Sequence, residues 1–360
     1  MLAKPPTGYL EFSGRKVEPM KVTIRNFIST QNGLTRRQFL WGTLAGTSTL
    51  ALGLPMYRLY ENGFRCDTFI ARMKDYQLDI SGIVRSGFQE LGVSPAEIKG
   101  KRILLKPNLV EPHSEKPHIN THPLFVRGVA EAFLHLGAAK VYIAEGTGHC
   151  RDTIYILEES GFSEIIKEDR LPFVDINYDE VFKKANAGKY TKCSSFFLPG
   201  ILKETDWIVS LPKLKTHHWS GVTLSMKNLF GLMPGSYYGW PKNVLHSMGI
   251  EQSILDINAT VKPHFAIVDG IIGMEGDGPI MGTPKASHVI VMGRNLTAVD
   301  ATCARVMGID PHKIHYLSAA SGRLGPISER NIRQVGETIK SVRINFALEE
   351  NMPAHRYIRI

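Results

Sequence analysis

The sequence predicts an α/β fold: a doubly wound, mainly parallel sheet with helices on both faces. Short apolar runs of strand length alternate with amphipathic stretches of helical period along the chain, the pattern that builds parallel sheets through crossover helices. The polar residues that could carry chemistry follow the ends of those runs, where ligands sit in open α/β sheets. A chain of 360 residues with 43% hydrophobic and 21% charged residues has the composition of a globular protein with a sizeable core.

The net charge of +9 first suggests a phosphate-tracking surface. Its distribution argues otherwise. Residues 1–65 hold 9 Lys and Arg against 3 acids, which leaves a net of only +3 for the remainder, so no nucleic-acid partner is expected. The 4 cysteines, Cys66, Cys150, Cys193 and Cys303, are scattered and form no C-x-x-C pair. That excludes a zinc ribbon, a thioredoxin motif or a self-contained ferredoxin cluster, and leaves a disulfide open.

Residues 1–34 are polar, rich in Gly, Pro and Ser, and read as a disordered leader, with Met1 and Met20 both available as starts. Thr35-Arg36-Arg37-Gln38-Phe39-Leu40 and the softened apolar run to Leu54 resemble a twin-arginine export signal or anchor over 35–54. The apolar run is short for a membrane span. The resemblance implies the twin-arginine export machinery as a partner and a periplasmic or membrane-anchored, outward-facing location.

A single α/β domain is expected over 67–350. Ile80, Ile83, Val84, Phe88 and Leu91 have helical spacing, and one amphipathic helix is predicted from Asp67 to Gly100. Arg102 to Lys106 is a strand stopped by Pro107, with Lys106 and Asn108 on one side. Asn120-Thr121-His122-Pro123 opens a helix with the buried stripe Phe125, Val129, Ala132, Phe133 and Leu136, ended by Gly137. His122 at its mouth either ligates a metal or an anion, or caps its own turn. Lys140 to Ala144 is a strand, and Glu145 at its tip is a candidate ligand or base. The glycines after it complete neither a dinucleotide fingerprint nor a P-loop. Short strands follow at Phe173–Ile176 and Ser194–Leu198.

The central stretch is Leu211 to Gly231. A buried strand, Trp207 to Leu211, leads into Lys213, Lys215 and His217 at alternate positions, so that an extended chain points all three to one side. Ser220 and Gly221 are expected to cap a helix from Val222 that carries Thr223, Lys227 and Asn228, with Gly231 as its stop. Met233 to Val244 reads as a lid or a packed surface loop. A helix after His246 buries Ile250, Ile254, Ile257 and Val261. Phe265 to Val268 is a strand ending in Asp269-Gly270, and Gly273 to Pro279 reads as a glycine-rich turn whose Glu275 can approach a ligand. Val289 to Met292 is a strand, and Asp300 is expected in the first turn of the next helix. Past Arg323 one short helix and one strand are expected.

These residues, in order from about Ile103 to Pro326, resemble the family named domain of unknown function 362. The resemblance rests on LLKPNLV with NTHP, AEG, SLPKLKTHHWSGVTLSMKNLFG, VDGIIGMEGDGP and TAVDA. It implies an α/β fold, a bacterial or archaeal source and no established reaction. It also implies an association with ferredoxin-type iron–sulfur segments, from which this chain departs by lacking a cysteine cluster; one shared with a ferredoxin-type partner stays open.

The residues then suggest an exported enzyme for an anionic small molecule, a phosphate or carboxylate, with a divalent metal as an option. Lys106, Asn108 and Lys213 are expected to hold the ligand or cofactor. Lys215, His217, Lys227, Asn228 and Glu145 are expected to carry catalysis, and His122, Asp269 and Glu275 to bind metal. A redox or cofactor-handling protein and a non-catalytic solute-binding module are the alternatives.

Overall fold

The computed structural model describes residues 65–113, 115–148 and 152–360. The expected leader, the export segment, His149 and Cys150 lie outside the described residues. The strands are β1 (Cys66–Arg72), β2 (Arg102–Pro107), β3 (Lys140–Glu145), β4 (Phe173–Asp175), β5 (Val181–Ala185) and β6 (Ser195–Pro199). They continue with β7 (Trp207–Leu211), β8 (Lys213–His217), β9 (Gly221–Thr223), β10 (Phe265–Glu275), β11 (Thr283–Gly293) and β12 (Ile332–Gly336). Ten of them form one sheet in the order β12-β1-β11-β10-β7-β2-β3-β4, with β8 paired to β10 and β9. The pairs β12–β1, β10–β7, β7–β2, β2–β3 and β3–β4 are parallel, and β11 runs against both its neighbours. The mostly parallel α/β sheet that the sequence predicts is therefore present. β5 and β6 form a separate antiparallel pair.

Strand side chains alternate between two apolar layers because successive Cβ atoms point to opposite faces. Ile103, Leu105, Val209, Phe265, Ile267, Ile290 and Met292 pack in one layer with the helices α1 (Ile80–Glu90) and α2 (Pro123–His135). Leu104, Ile208, Ala266, Val268, Val289 and Val291 pack in the other with α3 (Ser225–Asn228), α4 (Ile250–Val261) and α5 (Leu296–Val306).

Four expectations are corrected. The helix from Asp67 to Gly100 is instead β1, then α1, then a short helix at Pro95–Ile98. Thr68, Phe69 and Ile70 are strand formers, and β1 fills the sheet between β11 and β12, a pairing that local period cannot show. Only α1 keeps the helical spacing, capped where the Asp79 carboxylate accepts from Gly82 N at 2.7 Å. The helix expected from Val222 begins at Ser225, because Gly221–Thr223 pairs back onto β8 as a hairpin arm. A 3₁₀ turn, Leu229–Leu232, then carries the chain past Gly231.

The strand at Phe265 does not stop at Asp269. β10 runs on to Glu275, so Gly270 and Gly273 serve packing within the strand, and the bend begins only at Gly276. A Cβ on Gly273 would lie 2.7 Å from Leu214 O, so only glycine lets β8 approach there.

Asp300 lies in the second turn of α5, which Asn295 caps. Its carboxylate accepts from Ser225 N at 2.8 Å, from Met226 N at 3.0 Å and from the Ser225 hydroxyl. It thus caps α3 from a neighbouring helix, satisfying amides that a helix this short leaves open. Burial pushes its carboxyl up to about 7, against the hydrogen bonds from Ser225 and Met226. Asp300→Ala should strip all three donors of their acceptor and lower stability by about 2–4 kcal/mol. A urea midpoint close to that of the unaltered protein would show that α3 does not depend on this cap.

Candidate functional site

Four elements bring lysines to the C-terminal ends of the parallel strands. Lys106 lies one residue before the end of β2 and Glu145 ends β3, and the two side chains meet at 2.6 Å, both almost fully buried. Lys106 Nζ also donates to Pro107 O at 2.7 Å and to Asn228 Oδ1 at 3.1 Å. Glu145 accepts in addition from Leu109 N at 3.1 Å and Gly146 N at 2.9 Å. Asn228 returns two donors, to Lys106 O and Ser210 Oγ. Glu145 and Asn228 are therefore both engaged in holding Lys106. Gly231 passes so close that a Cβ there would collide with Glu145 Oε1 and the Lys106 side chain, which makes glycine obligatory at that point.

On β8, alternation separates Leu214 into one apolar layer and sends Lys213, Lys215 and His217 to the opposite side, as the sequence predicts. Their environments differ. Lys213 meets Asp269 at 2.8 Å and Tyr76 Oη at 2.9 Å, and Tyr76 closes the triangle by donating to Asp269 Oδ1 at 2.9 Å. His122 N donates to Asp269 Oδ2 at 3.0 Å, and the His122 ring stacks on Tyr76 with centroids 3.8 Å apart. His122 Nδ1 accepts from Leu124 N, so the histidine caps α2. Burial lowers the imidazole pKa to about 4, against the pull of Asp269. Glu275 is spoken for by Lys285 at 3.0 Å and Ala347 N at 2.8 Å. The expected metal set of His122, Asp269 and Glu275 is thus corrected: each member has structural partners. Among the described residues no three His, Cys, Asp or Glu stand together as a metal site.

Lys215 has no exposed surface, and its Nζ donates to Ile119 O at 3.0 Å and Pro279 O at 3.2 Å. Burial first, then the ammonium groups of Lys227 and Lys213, hold its amine well below the ordinary lysine range. His217 Nδ1 accepts from Trp219 N at 3.0 Å, which places the ring proton of the neutral imidazole on Nε2. Burial, then Lys227, keeps that ring neutral. Lys227, on α3, is half-buried and passes 5.3 Å from the Phe230 ring. Burial and then Lys106 bring it down to about 8. Lys242 donates to Asn177 Oδ1 at 2.6 Å and is likewise lowered to about 8, chiefly by burial.

These groups surround one cavity of about 470 Å³. Lys106, Asn108, Glu145, Lys215, His217, Lys227 and Asn228 line it; Lys213, His122, Asp269 and Glu275 do not. Apolar walls come from Leu109, Val110, Phe230 and Ile280, with Trp219 and Met281 exposed. Two polar atoms of lining residues, Asn108 Oδ1 and Thr223 Oγ1, are buried without a partner. No cysteine among the described residues lines the cavity. Sequence reasoning missed Lys242 and His246 as lining residues. The first lies in the loop read as a lid or surface feature, and only its buried position in a Gly-, Pro- and aromatic-rich segment signalled a role.

Residues 103–305 match the family described as domain of unknown function (DUF362). The chain belongs to this family. A thylakoid-associated protein of Synechocystis sp. is 27% identical over 234 residues, covering 63% of this DUF362 chain and 68% of the relative. Among solved structures, the lactate racemase apoprotein of Thermoanaerobacterium thermosaccharolyticum is similar at a TM-score of 0.42 and 14% identity, over 68% of this chain and 57% of that one. A Thermotoga maritima protein gives 0.38 and 13%, over 65% and 59%. This DUF362 chain spans less than two thirds of either structure.

The buried Lys213–Asp269 pair sits beside the DUF362 cavity and does not line it, so its loss should register as stability. Lys213→Met leaves a buried carboxylate without its cation and should cost about 3–5 kcal/mol. Lys213→Met combined with Asp269→Asn should recover most of it. Chemical denaturation of both variants checks this, and equal loss in the two would refute the pairing.

Proposed function

We propose that this DUF362 chain is an enzyme acting on a small anionic molecule that sits in the cavity against Lys227 and Lys242. One observation carries the reading: four lysines border a single cavity, and among the described residues only Lys106 is matched there by a carboxylate within ion-pair distance, Glu145. Lys227 and Lys242 are both lowered to about 8, first by burial and further by the Lys106 charge; at Lys242 the carboxylates of Glu145 and Asp175 offset only part of the fall. An anion that restores one of them to its ordinary range gains at most about 3 kcal/mol, about two orders of magnitude in affinity. A half-open, largely apolar cavity with a few convergent polar groups is the usual form of a small-molecule site. Neutral His217 offers an N–H donor, and burial holds the unmatched Lys215 amine well below the ordinary lysine range, a pairing of reactive groups that favours an enzyme over a passive binder.

Calorimetric titration with inorganic phosphate and with oxalate tests the reading. Lys227→Met should weaken the anion that binds about tenfold or more, with the thermal midpoint little changed. No measurable binding of either anion to the unaltered protein, or equal binding to the variant, would sink the proposal.

The pH dependence follows from the same groups. Anion binding needs the charged ammonium, and the free-state values of about 8 place its loss above neutrality. Affinity should hold as pH rises to about 7.5 and then fall up to tenfold per unit for each lysine above about 8. Affinity that stays level to pH 10 would assign binding to other groups.

A further inference from the structure

We propose that Lys215 is a nucleophile that forms an imine with the carbonyl carbon of a small oxo acid, whose carboxylate is held by Lys227 and Lys242. The proposal rests on the anionic-ligand reading and narrows its substrate class to molecules carrying both a carboxylate and a ketone or aldehyde.

The contrast among the buried lysines points there. Lys106, Lys213 and Lys215 are all fully or almost fully buried. Lys106 is matched by Glu145 and Lys213 by Asp269. Lys215 has no carboxylate within ion-pair distance among the described residues, yet it borders the cavity. An unmatched ammonium in such a place is expensive, and the group escapes the penalty as a free amine. A desolvated lysine beside other cations is the setting that activates amines toward carbonyl carbon.

The hydrogen bonds agree. A neutral amine has two N–H donors, and Lys215 has two carbonyl acceptors, Ile119 O and Pro279 O. Both donors being engaged, the nitrogen lone pair is the group left over. Thr223 faces Lys215 directly across the β8–β9 ladder, so the two side chains share a face. Its hydroxyl is buried and has no partner, so it is available to the oxygen of the reacting carbonyl. His217, two residues along the same side of β8, presents an Nε2–H to the same cavity.

The step balances without a co-reactant. The Lys215 lone pair adds to the carbonyl carbon as the C=O π pair moves to oxygen, and one N–H proton passes to that oxygen to give a carbinolamine. Its C–O bond then breaks, the hydroxyl leaves with the second nitrogen proton as water, and C=N remains. Thr223 and His217 hold the oxygen while it carries charge.

Borohydride trapping tests this on the full chain. The protein is incubated with glyoxylate, pyruvate or 4-methyl-2-oxopentanoate, reduced, digested and mapped by mass spectrometry. At least one probe should leave its reduced adduct on Lys215 at a level about tenfold above any surface lysine, a preference of the size one activated site gives. Lys215→Met should lose that adduct. Thr223→Val, which keeps the amine, should slow trapping about tenfold without moving the adduct from Lys215. Adducts spread over surface lysines with Lys215 unmodified, or no adduct with any of the three, would overturn the proposal. Should anion binding persist in that case, the imine alone fails; should both vanish, the cavity reading falls with it.

Discussion

The penalty for removing an ammonium group from water orders this site. Lys106 and Lys213 stand at the ends of β2 and β8 with almost no solvent contact, and each is made tolerable by a carboxylate at 2.6 and 2.8 Å. Those carboxylates come from other strands, Glu145 from β3 and Asp269 from β10. Two ion pairs therefore tie neighbouring strands together, one at the tips of β2 and β3 and one from the start of β8 to the middle of β10, and the chain around them is fitted to them. The amides of Leu109, Gly146 and His122 turn toward the carboxylates, and Gly231 lacks the side chain that would strike the Lys106–Glu145 pair. Lys215 borders the cavity with no carboxylate within ion-pair distance among the described residues.

Much of the sheet was legible in the sequence because most of its strands are short apolar runs buried on both faces. Trp207–Leu211 and Arg102–Pro107 stand out for that reason. β1 did not, because the charged Asp67 and Arg72 interrupt its apolar run near both ends and its spacing merges with that of the following helix. The end of β10 was lost to its glycines, which imitate a turn although they admit the β8 backbone and the Phe346 ring.

The site was legible in part, through strand alternation and through position at strand ends. Lys106, Lys215 and His217 follow from those two rules alone, whereas Lys227 was placed by the short helix that follows β9. What the rules cannot give is which cation finds an anion. Lys213 and Lys215 are two residues apart on one strand and share a side, yet the partner of one comes from β10 while the other finds only backbone carbonyls. Asp300 shows the same limit. Its place in α5 suggested dipole stabilisation, whereas it serves a different helix 75 residues away in sequence.

The connection between β10 and β11 reaches from solvent to the innermost amine. Met281 is 76% exposed, while Pro279, two residues earlier, offers its carbonyl to Lys215, which is wholly enclosed. One short hairpin thus joins open water to an amine that water does not reach, and the contour of this loop and the acceptor set of the innermost nitrogen are fixed by the same few residues.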